Sequence, residues 1–381
     1  MSFADLAERH DDFFVPAFEI RIGTGGGSFP SENAYTGDQG LISGLRVDTD
    51  LGRANRFSFT LNDVFDRQKG NHGEFDEAVR STFAEGTDVE IGMGYGTDGA
   101  ETLLRGRIET VKPNFPARGA PSLSVEGRDL VYLLRNGTGT GNWEDTDLTT
   151  VIEDLISDTP FAGTEVDIDD GSITSLHHPE TSDFEFIEQL ADRNDAEFFS
   201  RAGTFHFRGK SVVSDQSSET TLTYGQALRS FTPGSANPRT GSAGSRANRS
   251  RVGTVKVRHN DEKTKEAIVG TAEVTGGGEK THVETIPVRS QAEAERHARS
   301  IAGEIERQGT TGGLTGGGTG GGGSGNRAET IGLPEVQIGR VIELAGLGDE
   351  YSGRYHVESA AHRIDDSGYT TSFGVRKLNN E

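Results

Sequence analysis

The sequence predicts a β-rich α+β protein in which two similar antiparallel β-barrel domains flank a small α/β insert domain. Two stretches of alternating apolar and polar residues, each divided by glycine turns, predict the barrels. A block between them changes to helical periodicity, which predicts the insert. A chain of 381 residues is long enough for two or three such cores.

The two β-rich stretches repeat one another. Each contains three pieces in the same order, and the span from the second piece to the end of the third is nearly equal, 24 residues from Gly106 to Leu130 and 25 from Gly353 to Leu378. In matched order the pieces are Gly86–Ile91 with Gly339–Leu344, Gly106–Ile108 with Gly353–Tyr355, and Ser122–Leu130 with Thr371–Leu378. A trimer of a chain with two such units presents six similar surfaces around a ring. The repeat therefore indicates assembly rather than catalysis.

Changes of period and composition divide the chain into four segments. We expect an N-terminal arm at 1–14, a first β-barrel domain at 15–141, an α/β insert domain at 142–210 and a second β-barrel domain at 211–381. Gly137–Gly141 marks the end of the first barrel. Because Gly312–Gly325 is almost entirely glycine, threonine and serine, we expect residues 308–327 to form a flexible loop within the second barrel domain.

The insert carries helix start signals. Apolar residues recur at helical spacing over Leu148–Ile156, directly after Asp147, a residue type that caps helices. Ser182 and Glu185 have the spacing of a capping box at the start of a second helix. Residues 196–207 then predict a hairpin.

Strand-like alternation continues on both sides of the insert. It covers residues 18–22, 41–47, 57–61, 220–224, 253–258 and 267–269. A short helix at about Phe75–Phe83 interrupts the first set. A longer helix follows the second set, from a capping box at Ser290 to about Arg307, with a seam of small residues that includes Ala294 and Ala298.

The composition is strongly acidic. Sixty Asp and Glu residues against 38 Lys and Arg residues give a net charge of -22, and only eight of the basic residues are lysine. Such a surface suits concentrated salt, where the Debye length falls to about 3 Å and self-repulsion is screened. We therefore expect a hypersaline environment, with an ordinary acidic protein as the alternative.

The same charge argues against a general nucleic-acid binder, which needs a basic stripe. Five arginines do cluster between Arg239 and Arg258, but glycine, serine and threonine separate them. They are more typical of a loop or a protein interface.

The chain has no cysteine, so disulfides, thiolate metal sites and cysteine nucleophiles are excluded. No apolar run approaches the ~18 residues of a membrane span. The acidic N-terminus lacks the features of a secretory signal. We expect a protein without a stable membrane anchor that is made and folded in the cytosol.

No motif predicts catalysis, a cofactor or a metal. The glycine runs Gly25–Gly27 and Gly316–Gly323 lack the context of a phosphate loop. His177 and His178 point to opposite faces of a strand, and Asp167–Gly171 lacks the spacing of a calcium loop. No pair of glycosidase carboxylates stands out, and no nucleophile elbow occurs. We predict a non-enzymatic protein, and the sequence identifies no interface residues.

Three stretches carry a resemblance to a known family: Thr181–Ala191, Leu222–Gly234, and Gly353–His362 with its continuation Gly368–Phe373. In their order and spacing, together with the duplicated β unit, the chain resembles the phage late control gene D family. These are the baseplate or tail hub proteins of contractile injection machines, and they are related to the N-terminal half of type VI secretion spike proteins. The likeness covers most of the chain.

The resemblance implies a homotrimer whose tandem barrels form a pseudo-six-fold ring between a hexameric inner tail tube and a trimeric spike. The implied partners are the tube protein, a spike or plug protein and other baseplate proteins, in a virion tail or an injection-system baseplate. Because the sequence ends at Glu381, shortly after the second barrel, we expect the spike to be a separate chain and no lysozyme domain to be present.

The alternative to a hub is an extracellular carbohydrate-active β-protein, a glycosidase or an adhesin. The sequence leaves open whether the tail is contractile, and whether it belongs to a virus or to a domesticated injection system. It also leaves open the cargo, the host and the role of the glycine-rich loop.

Overall fold

The computed structural model of the chain describes residues 1–24, 27–69, 72–96, 100–168, 172–234, 252–260, 267–274, 278–285, 288, 291–310 and 326–378. Strands and helices are numbered below in chain order. Helix α1, Phe3–Arg9, lies in the N-terminal arm and precedes all the strands.

The first β unit is an antiparallel sheet built from alternating residues. In β4, for example, Phe57, Phe59 and Leu61 are buried, whereas Ser58 and Thr60 between them are partly exposed. The strands are β1 Pro16–Ile22, β2 Ala34–Thr36, β3 Ile42–Asp50, β4 Arg56–Leu61, β7 Asp88–Tyr95, β8 Glu101–Asn114 and β9 Ser122–Asp129. They lie in the order β2-β1-β7-β8-β9-β4-β3. A ribbon of β5 Phe65–Asp66 and β6 Glu74–Phe75 and helix α2 Glu77–Thr82 connect β4 to β7.

The insert domain has its own hydrophobic core. Its strands are β10 Asn142–Asp147, β11 Gly163–Asp167, β12 Ser172–His177, β13 Ala196–Arg201 and β14 Thr204–Gly209, and its helices are α3 Leu148–Ile156 and α4 Asp183–Arg193. β10 pairs with β12, and β11, β14 and β13 form a second sheet. Ile152, Phe186 and Phe205 lie in the core between helices and strands.

Both predicted helix starts of the insert occur in the structure. The Asp147 carboxylate accepts a hydrogen bond from the Thr150 N–H at 2.8 Å, and the Ser182 hydroxyl accepts one from the Glu185 N–H at 3.3 Å. These side chains satisfy backbone donors that the first turn of a helix leaves free. Ser182 therefore supplies the serine half of the predicted capping box.

The described residues after β14 form a second β unit and a separate module of three strands and one helix. Its strands are β15 Thr220–Thr223, β16 Leu228–Thr232, β17 Val252–Asn260, β18 Ala267–Glu273, β19 Lys280–Thr285, β20 Asn326–Ile331, β21 Val341–Ala345, β22 Gly353–Asp365 and β23 Gly368–Lys377. Its helices are α5 Lys210–Asp215, α6 Gln291–Thr310 and α7 Gly348–Tyr351. The second β unit consists of the strands in the order β15-β21-β22-β23-β20-β16.

The helix-and-sheet module, β17–β19 with α6, is separate from the second β unit. Its strands lie in the order β18-β17-β19. Ala294, Ala298 and Val255 lie in a core of its own. Gly270 allows α6 to approach closely, since a Cβ there would stand 2.1 Å from the Ala294 backbone. The sequence predicts β17, β18 and α6, though not β19, and places them within the second barrel domain, whereas they form their own sheet between β16 and β20 in the chain.

The two β units share one sheet of 13 strands. β3 of the first unit pairs antiparallel with β22 of the second, over Leu45–Asp50 and Ser359–Ile364. The β-rich α+β class predicted from the sequence is confirmed. Closure of each unit into a barrel stays a prediction, as do the four domain boundaries.

The ends of the expected glycine-rich loop are corrected by the structure. Residues 308–310 belong to α6 and residues 326–327 to β20. Residues 311–325 lie outside the described part of the chain, as do Ser290 of the expected capping box, the glycines at 25–26, the end of the Asp167–Gly171 stretch and the arginines from 239 to 251.

Candidate functional site: junctions between the repeated units

A shared hydrogen-bond pattern shows which residues of the two β units correspond. The Gly86 N–H donates to the Ile108 carbonyl at 2.8 Å, and the Gly339 N–H donates to the Val357 carbonyl at 2.9 Å. Both glycines have positive φ, 88° and 79°, a conformation that glycine adopts without steric cost. A bulge follows directly, at Ile108 in β8 and at Val357 in β22. Ile108 therefore corresponds to Val357.

This correspondence corrects one part of the sequence repeat. Gly106 stands two residues before Ile108, so its counterpart is Tyr355 and not Gly353. The Gly106–Gly353 match is therefore wrong by two residues, while the other two matched pieces keep their alignment. A Cβ at Gly106 would lie 2.2 Å from the Arg128 carbonyl oxygen, which requires glycine there for a reason local to the first unit.

The correspondence extends over whole strands. Strands β3, β4, β7, β8 and β9 of the first unit correspond to β16, β20, β21, β22 and β23 of the second, in the same spatial order. The strand beyond this set differs, because β1 runs antiparallel to β7 whereas β15 runs parallel to β21. The connections differ too: the ribbon and α2 lie between β4 and β7, and the helix-and-sheet module lies between β16 and β20.

The β3–β22 pair is the junction between the units within the chain. The Thr49 hydroxyl donates to the Ala360 carbonyl at 3.1 Å. Ile364 and Tyr369 of the second unit pack in the hydrophobic core of the first. The second unit thus completes a core that the first unit leaves open.

A neutral histidine lies buried behind this junction. The Tyr369 hydroxyl donates to Nδ1 of His362 at 2.9 Å, and Nε2–H of His362 donates to the Val336 carbonyl at 3.0 Å. Burial lowers the pKa of His362 to about 4, so the imidazole is uncharged at neutral pH.

The N-terminal arm connects the two units a second time. Leu6 of α1 packs in the core of the second unit, and the Met1 amino group donates to the Glu219 carbonyl at 2.7 Å. His10 Nε2 and Glu335 Oε1 lie 2.7 Å apart, and both side chains are buried. Burial opposes ionisation of Glu335, but the His10 contact outweighs it, so the pKa of that carboxyl is lowered. The arm then continues into β1 of the first unit.

A strained turn follows α1 within the arm. Asp11, Asp12 and Phe13 have φ values of 49°, 52° and 60°, which side-chain-bearing residues rarely adopt. The next two side chains are strongly exposed, Phe14 at 80% and Val15 at 60%.

A buried ionic cluster attaches the insert domain to the second unit. Arg208 Nε donates to Glu197 Oε1 at 2.8 Å, Arg208 Nη2 donates to the Gly339 carbonyl, and Nε2–H of His356 donates to Glu197 Oε1 at 3.2 Å. Burial would raise the pKa of Glu197, but the hydrogen bond from His356 and the charge of Arg208 lower it to about 2. Glu197 is therefore an anion held between two nitrogen donors.

Neutral groups attach the insert to the first unit. The Gly52 N–H donates to the Phe198 carbonyl at 2.9 Å, and the Asn55 amide donates to the Ser200 carbonyl at 3.1 Å. Asp129 lies buried beside Asn55, and burial raises its pKa well above the ordinary value. The contacts on this side thus carry little charge.

An exposed aromatic cluster lies at the far end of β8. Phe65, Phe75 and Phe115 meet edge to face, with ring centroids 4.9, 5.7 and 5.6 Å apart. Phe115 is nevertheless 62% exposed.

The adjacent histidines serve different local contacts. His177 Nδ1–H donates to the Asn142 side-chain oxygen at 2.6 Å, while buried His178 lies with Nε2 3.2 Å from the Asp183 carboxylate. Among the described residues, no three His, Asp or Glu side chains group around a common metal position. A surface depression of about 390 Å³ on the insert is lined by Glu153, Phe161 and neighbouring hydroxyl residues, and it holds no titratable pair.

Sequence reasoning missed the Arg208–Glu197–His356 cluster. The one available signal is β14, where His206 and Arg208 alternate with buried Phe205 and Phe207. The partners on β13 and β22 lie far apart in sequence, so no local pattern joins them. Within the described residues, no helix combines the length and the apolar character that crossing a membrane requires.

The sequence profile of a family described as the Alg8 N-terminal domain matches residues 39–250. No curated protein is significantly similar in sequence. Among solved structures, the 43 kDa tail protein of prophage MuSo2 from Shewanella oneidensis is 12% identical with a TM-score of 0.63, over 95% of this chain and 98% of the other. A tail protein from Neisseria meningitidis is also 12% identical with a TM-score of 0.63, over 96% and 97% of the chains. A chain of the half-lidded Francisella PdpA–VgrG complex is 9% identical with a TM-score of 0.52, over 96% of this chain and 58% of that one.

Proposed function

This chain belongs to the Alg8 N-terminal domain family, and from its fold and its duplicated β units we propose that it is a non-enzymatic tail or baseplate hub. Three copies form a ring in which six β units alternate around a pseudo-six-fold axis. The ring joins a hexameric inner tail tube to a trimeric spike.

The observation that carries the proposal is the strand-for-strand duplication. The two units share the positions of a turn glycine, a bulge and a strand order. Two equivalent units in one chain let three copies offer six equivalent contacts, which matches the symmetry of a hexameric tube. The similarity to two tail proteins, one of them from a prophage, over nearly the whole of each chain supports the same role.

The partners in this proposal are the tube protein, a separate spike or plug and other baseplate proteins. A structural neighbour from a complex that contains VgrG supports the spike contact. The net charge of -22 and the scarcity of lysine support a salt-adapted host, with assembly in its cytoplasm.

The test is the native mass of the purified chain in molar salt, by light scattering or mass photometry, followed by negative-stain imaging. We expect a mass of three chains, about 122 kDa from three times 40.8 kDa, and rings in the images. The subunit contact should bury an obligate-type area of about 2,000 Å² or more. A monomer that forms no ring with tube or spike proteins would contradict the proposal.

The family match favours, though weakly, the alternative of a carbohydrate-active β-protein. A glycan array and hydrolase assays on the same preparation distinguish the two. Saccharide binding by a monomer, with a single carboxylate essential for turnover, would support the alternative and exclude the hub.

A further inference from the structure

We propose that the exposed aromatic cluster at the far end of β8 binds a second copy of this chain, and that the second copy contacts it through Phe14 and Val15 of its N-terminal arm. Each copy offers its cluster to one neighbour and its arm to the other. This inference rests on the proposed function, because it specifies a contact between the copies of the ring.

The cluster is exposed at a position that is covered in the second unit. β8 pairs with β7 only as far as Arg107, and its outer half ends beside the cluster. Counting on from the bulge that follows Ile108 and Val357, Phe115 corresponds to Ile364. Ile364 is 9% exposed because it packs in the core of the first unit, whereas Phe115 is 62% exposed. An apolar surface left in water where its counterpart is buried is typical of an interaction site.

The arm presents the other strongly exposed phenylalanine. Among the described residues, the phenylalanines that are mainly exposed are Phe14, at 80%, and Phe115. Val15 beside Phe14 is 60% exposed. The three residues before them, 11–13, all have positive φ. Backbone strain of this kind occurs mainly at ligand clamps and switch regions, so it supports a binding role for the side chains that follow.

The hairpin tip that carries Phe115 is basic. Residues 112–121 include Lys112 and Arg118 and no carboxylate, in a chain whose net charge is -22. Both basic side chains are exposed, and the Lys112 ammonium group is 4.0 Å from the Glu126 carboxylate, at the limit of an ion pair. The ribbon of β5 and β6 beside the tip is balanced, with Asp66 and Glu74 against Arg67 and Lys69.

The arm is acidic at the matching place. Asp11 and Asp12 are exposed, and neither carboxylate has a hydrogen-bond or ion-pair partner among the described residues. An acidic segment with an exposed ring attracts a basic surface with exposed rings, and each of the two disfavours a copy of itself. The charges therefore favour a contact between unlike surfaces of two copies.

Distance excludes the same contact within one chain. The Gly96 N–H donates to the Val15 carbonyl at 2.9 Å, so the exposed part of the arm lies beside the turn that leads into β8. Phe115 follows the last residue of β8, and a strand of 14 residues is roughly 45 Å long. A chain therefore cannot place its own arm on its cluster. A contact between unlike surfaces is heterologous, and here it closes into a ring after three copies.

A phenylalanine suits the cluster chemically. The rings of Phe65, Phe75 and Phe115 meet edge to face, and a further ring can pack on them in the same manner. This part of the contact needs no charge. It therefore persists in concentrated salt, where the attraction between the acidic arm and the basic tip is screened.

Cross-linking tests the contact directly. The chain has no cysteine, so Val15→Cys with Ala117→Cys introduces two unique thiols beside the contact and keeps both phenylalanines. We expect a short bismaleimide reagent to give covalent trimers on denaturing gels. Neither single variant can give a covalent trimer, because one thiol per chain joins at most two chains. Val15→Cys with Glu188→Cys, at an exposed position on α4, is the matched control and should give no trimer.

The outcomes separate this contact from the hub proposal. If the native mass is a trimer but the Val15–Ala117 pair gives no covalent trimer, or gives no more than the control pair, the contact is wrong and the hub proposal stands. Covalent ladders beyond three copies, without a trimer in the native mass, would support the contact and contradict the ring. If the chain stays monomeric and does not cross-link, both are wrong.

A second measurement tests the aromatic part in molar salt. Phe14→Ala and Phe115→Ala should each raise the dissociation constant of the trimer by about tenfold or more, measured by sedimentation over a dilution series. The double variant should lose no more than the larger single effect, because both substitutions remove one contact. Tyr224→Ala, at another exposed aromatic residue, is the control and should leave the trimer intact. Fully additive losses would place the two rings in different contacts and overturn the proposal.

Charge reversal at the tip tests the ionic part. Lys112→Glu with Arg118→Glu should raise the dissociation constant by about tenfold at the lowest salt that keeps the unmodified chain trimeric, and by much less in molar salt, where the Debye length is about 3 Å. The reason is that the reversed tip repels Asp11 and Asp12. An equal increase at both salt concentrations would show that the acidic arm is not the partner of the tip.

Discussion

The first and second β units share their backbone plan and differ in the chemistry that attaches them to the rest of the molecule. Backbone and amide hydrogen bonds around Asn55 hold the insert on the first unit, whereas the Arg208–Glu197–His356 cluster holds it on the second. The open end of the first unit's core is filled by Ile364, while the corresponding Phe115 is exposed. Two units can therefore share their strand order and backbone hydrogen bonds while carrying different side chains at equivalent positions.

The two units also differ in how equivalent strand positions respond to pH. His362, at the junction within the chain, corresponds to Pro113 in the outer half of β8. Proline carries no titratable group and is tolerated at sheet edges. We therefore expect acid to weaken the junction within the chain, with no equivalent titration at the Pro113 position.

The largest effect is expected where the second unit meets the insert. Arg208→Met would leave the Glu197 carboxylate buried without the charge of Arg208, so the free energy of unfolding should fall by about 3–5 kcal/mol. Denaturant unfolding of the variant and the unmodified chain, at constant salt and neutral pH, measures this difference in free energy.

Arg46→Met is the control for Arg208→Met, because the Arg46–Asp48 ion pair is half exposed and should contribute less than about 1 kcal/mol. Similar losses in both variants would show that the buried cluster is no stronger an attachment than a surface pair.

A smaller effect is expected from pH. The pKa of His362 is lowered from 6.5 to about 4 in the folded chain, so the unfolded chain binds the proton first. The stabilising contribution is complete above pH 6.5 and is lost as the pH falls towards 4, by roughly 3 kcal/mol at about 1.4 kcal/mol per unit. His362→Gln should flatten the dependence of unfolding free energy on pH across this window.

His72→Gln, at an exposed histidine, should leave that slope unchanged. His206, whose pKa burial lowers to about 3, accounts for part of the slope that remains in His362→Gln. An unaltered slope in His362→Gln would place the acid sensitivity away from the junction.

The smallest changes in unfolding free energy are expected from substitutions at Ile364 and Phe115, which occupy equivalent positions in the two units. Ile364→Ala removes a side chain from the first unit's core and should cost about 2 kcal/mol in the monomer. Phe115→Ala, at the exposed counterpart, removes two edge-to-face ring contacts and should cost about 1 kcal/mol. Thermal unfolding of the two variants, at a concentration where the chain is monomeric, measures both losses in stability. Equal losses would mean that Phe115 is as fully packed in the single chain as Ile364.

The sequence predicted the local structure well because the signals for it are local. Alternation identified β4 and β15, and the caps at Asp147 and Ser182 identified the starts of α3 and α4. The turn glycines Gly86 and Gly339 aligned the two units. In each case the residue pattern and the structure it determines lie within a few positions of each other.

The junctions could not be predicted because they join distant residues. Alternation shows that Leu45 and Ile364 face a core, but it does not show that they face the same one. The Gly106–Gly353 match failed since glycine is required at Gly106 by contact with Arg128, a neighbour that no spacing reveals. For the same reason the sequence identified no interface residue, and the candidate site depends on strand register.

The β3–β22 pairing also sets an order of events during synthesis. Leu45 and Val47 emerge early, but their partners Ile364 and His362 follow more than 300 residues later. At roughly 5–20 residues per second, the nascent first unit carries an unpaired, apolar strand edge for tens of seconds. An unpaired strand edge can pair with another chain. We therefore expect this fold to aggregate most readily where several ribosomes synthesise neighbouring copies at the same time. The last strands to be translated are the ones that close its first core.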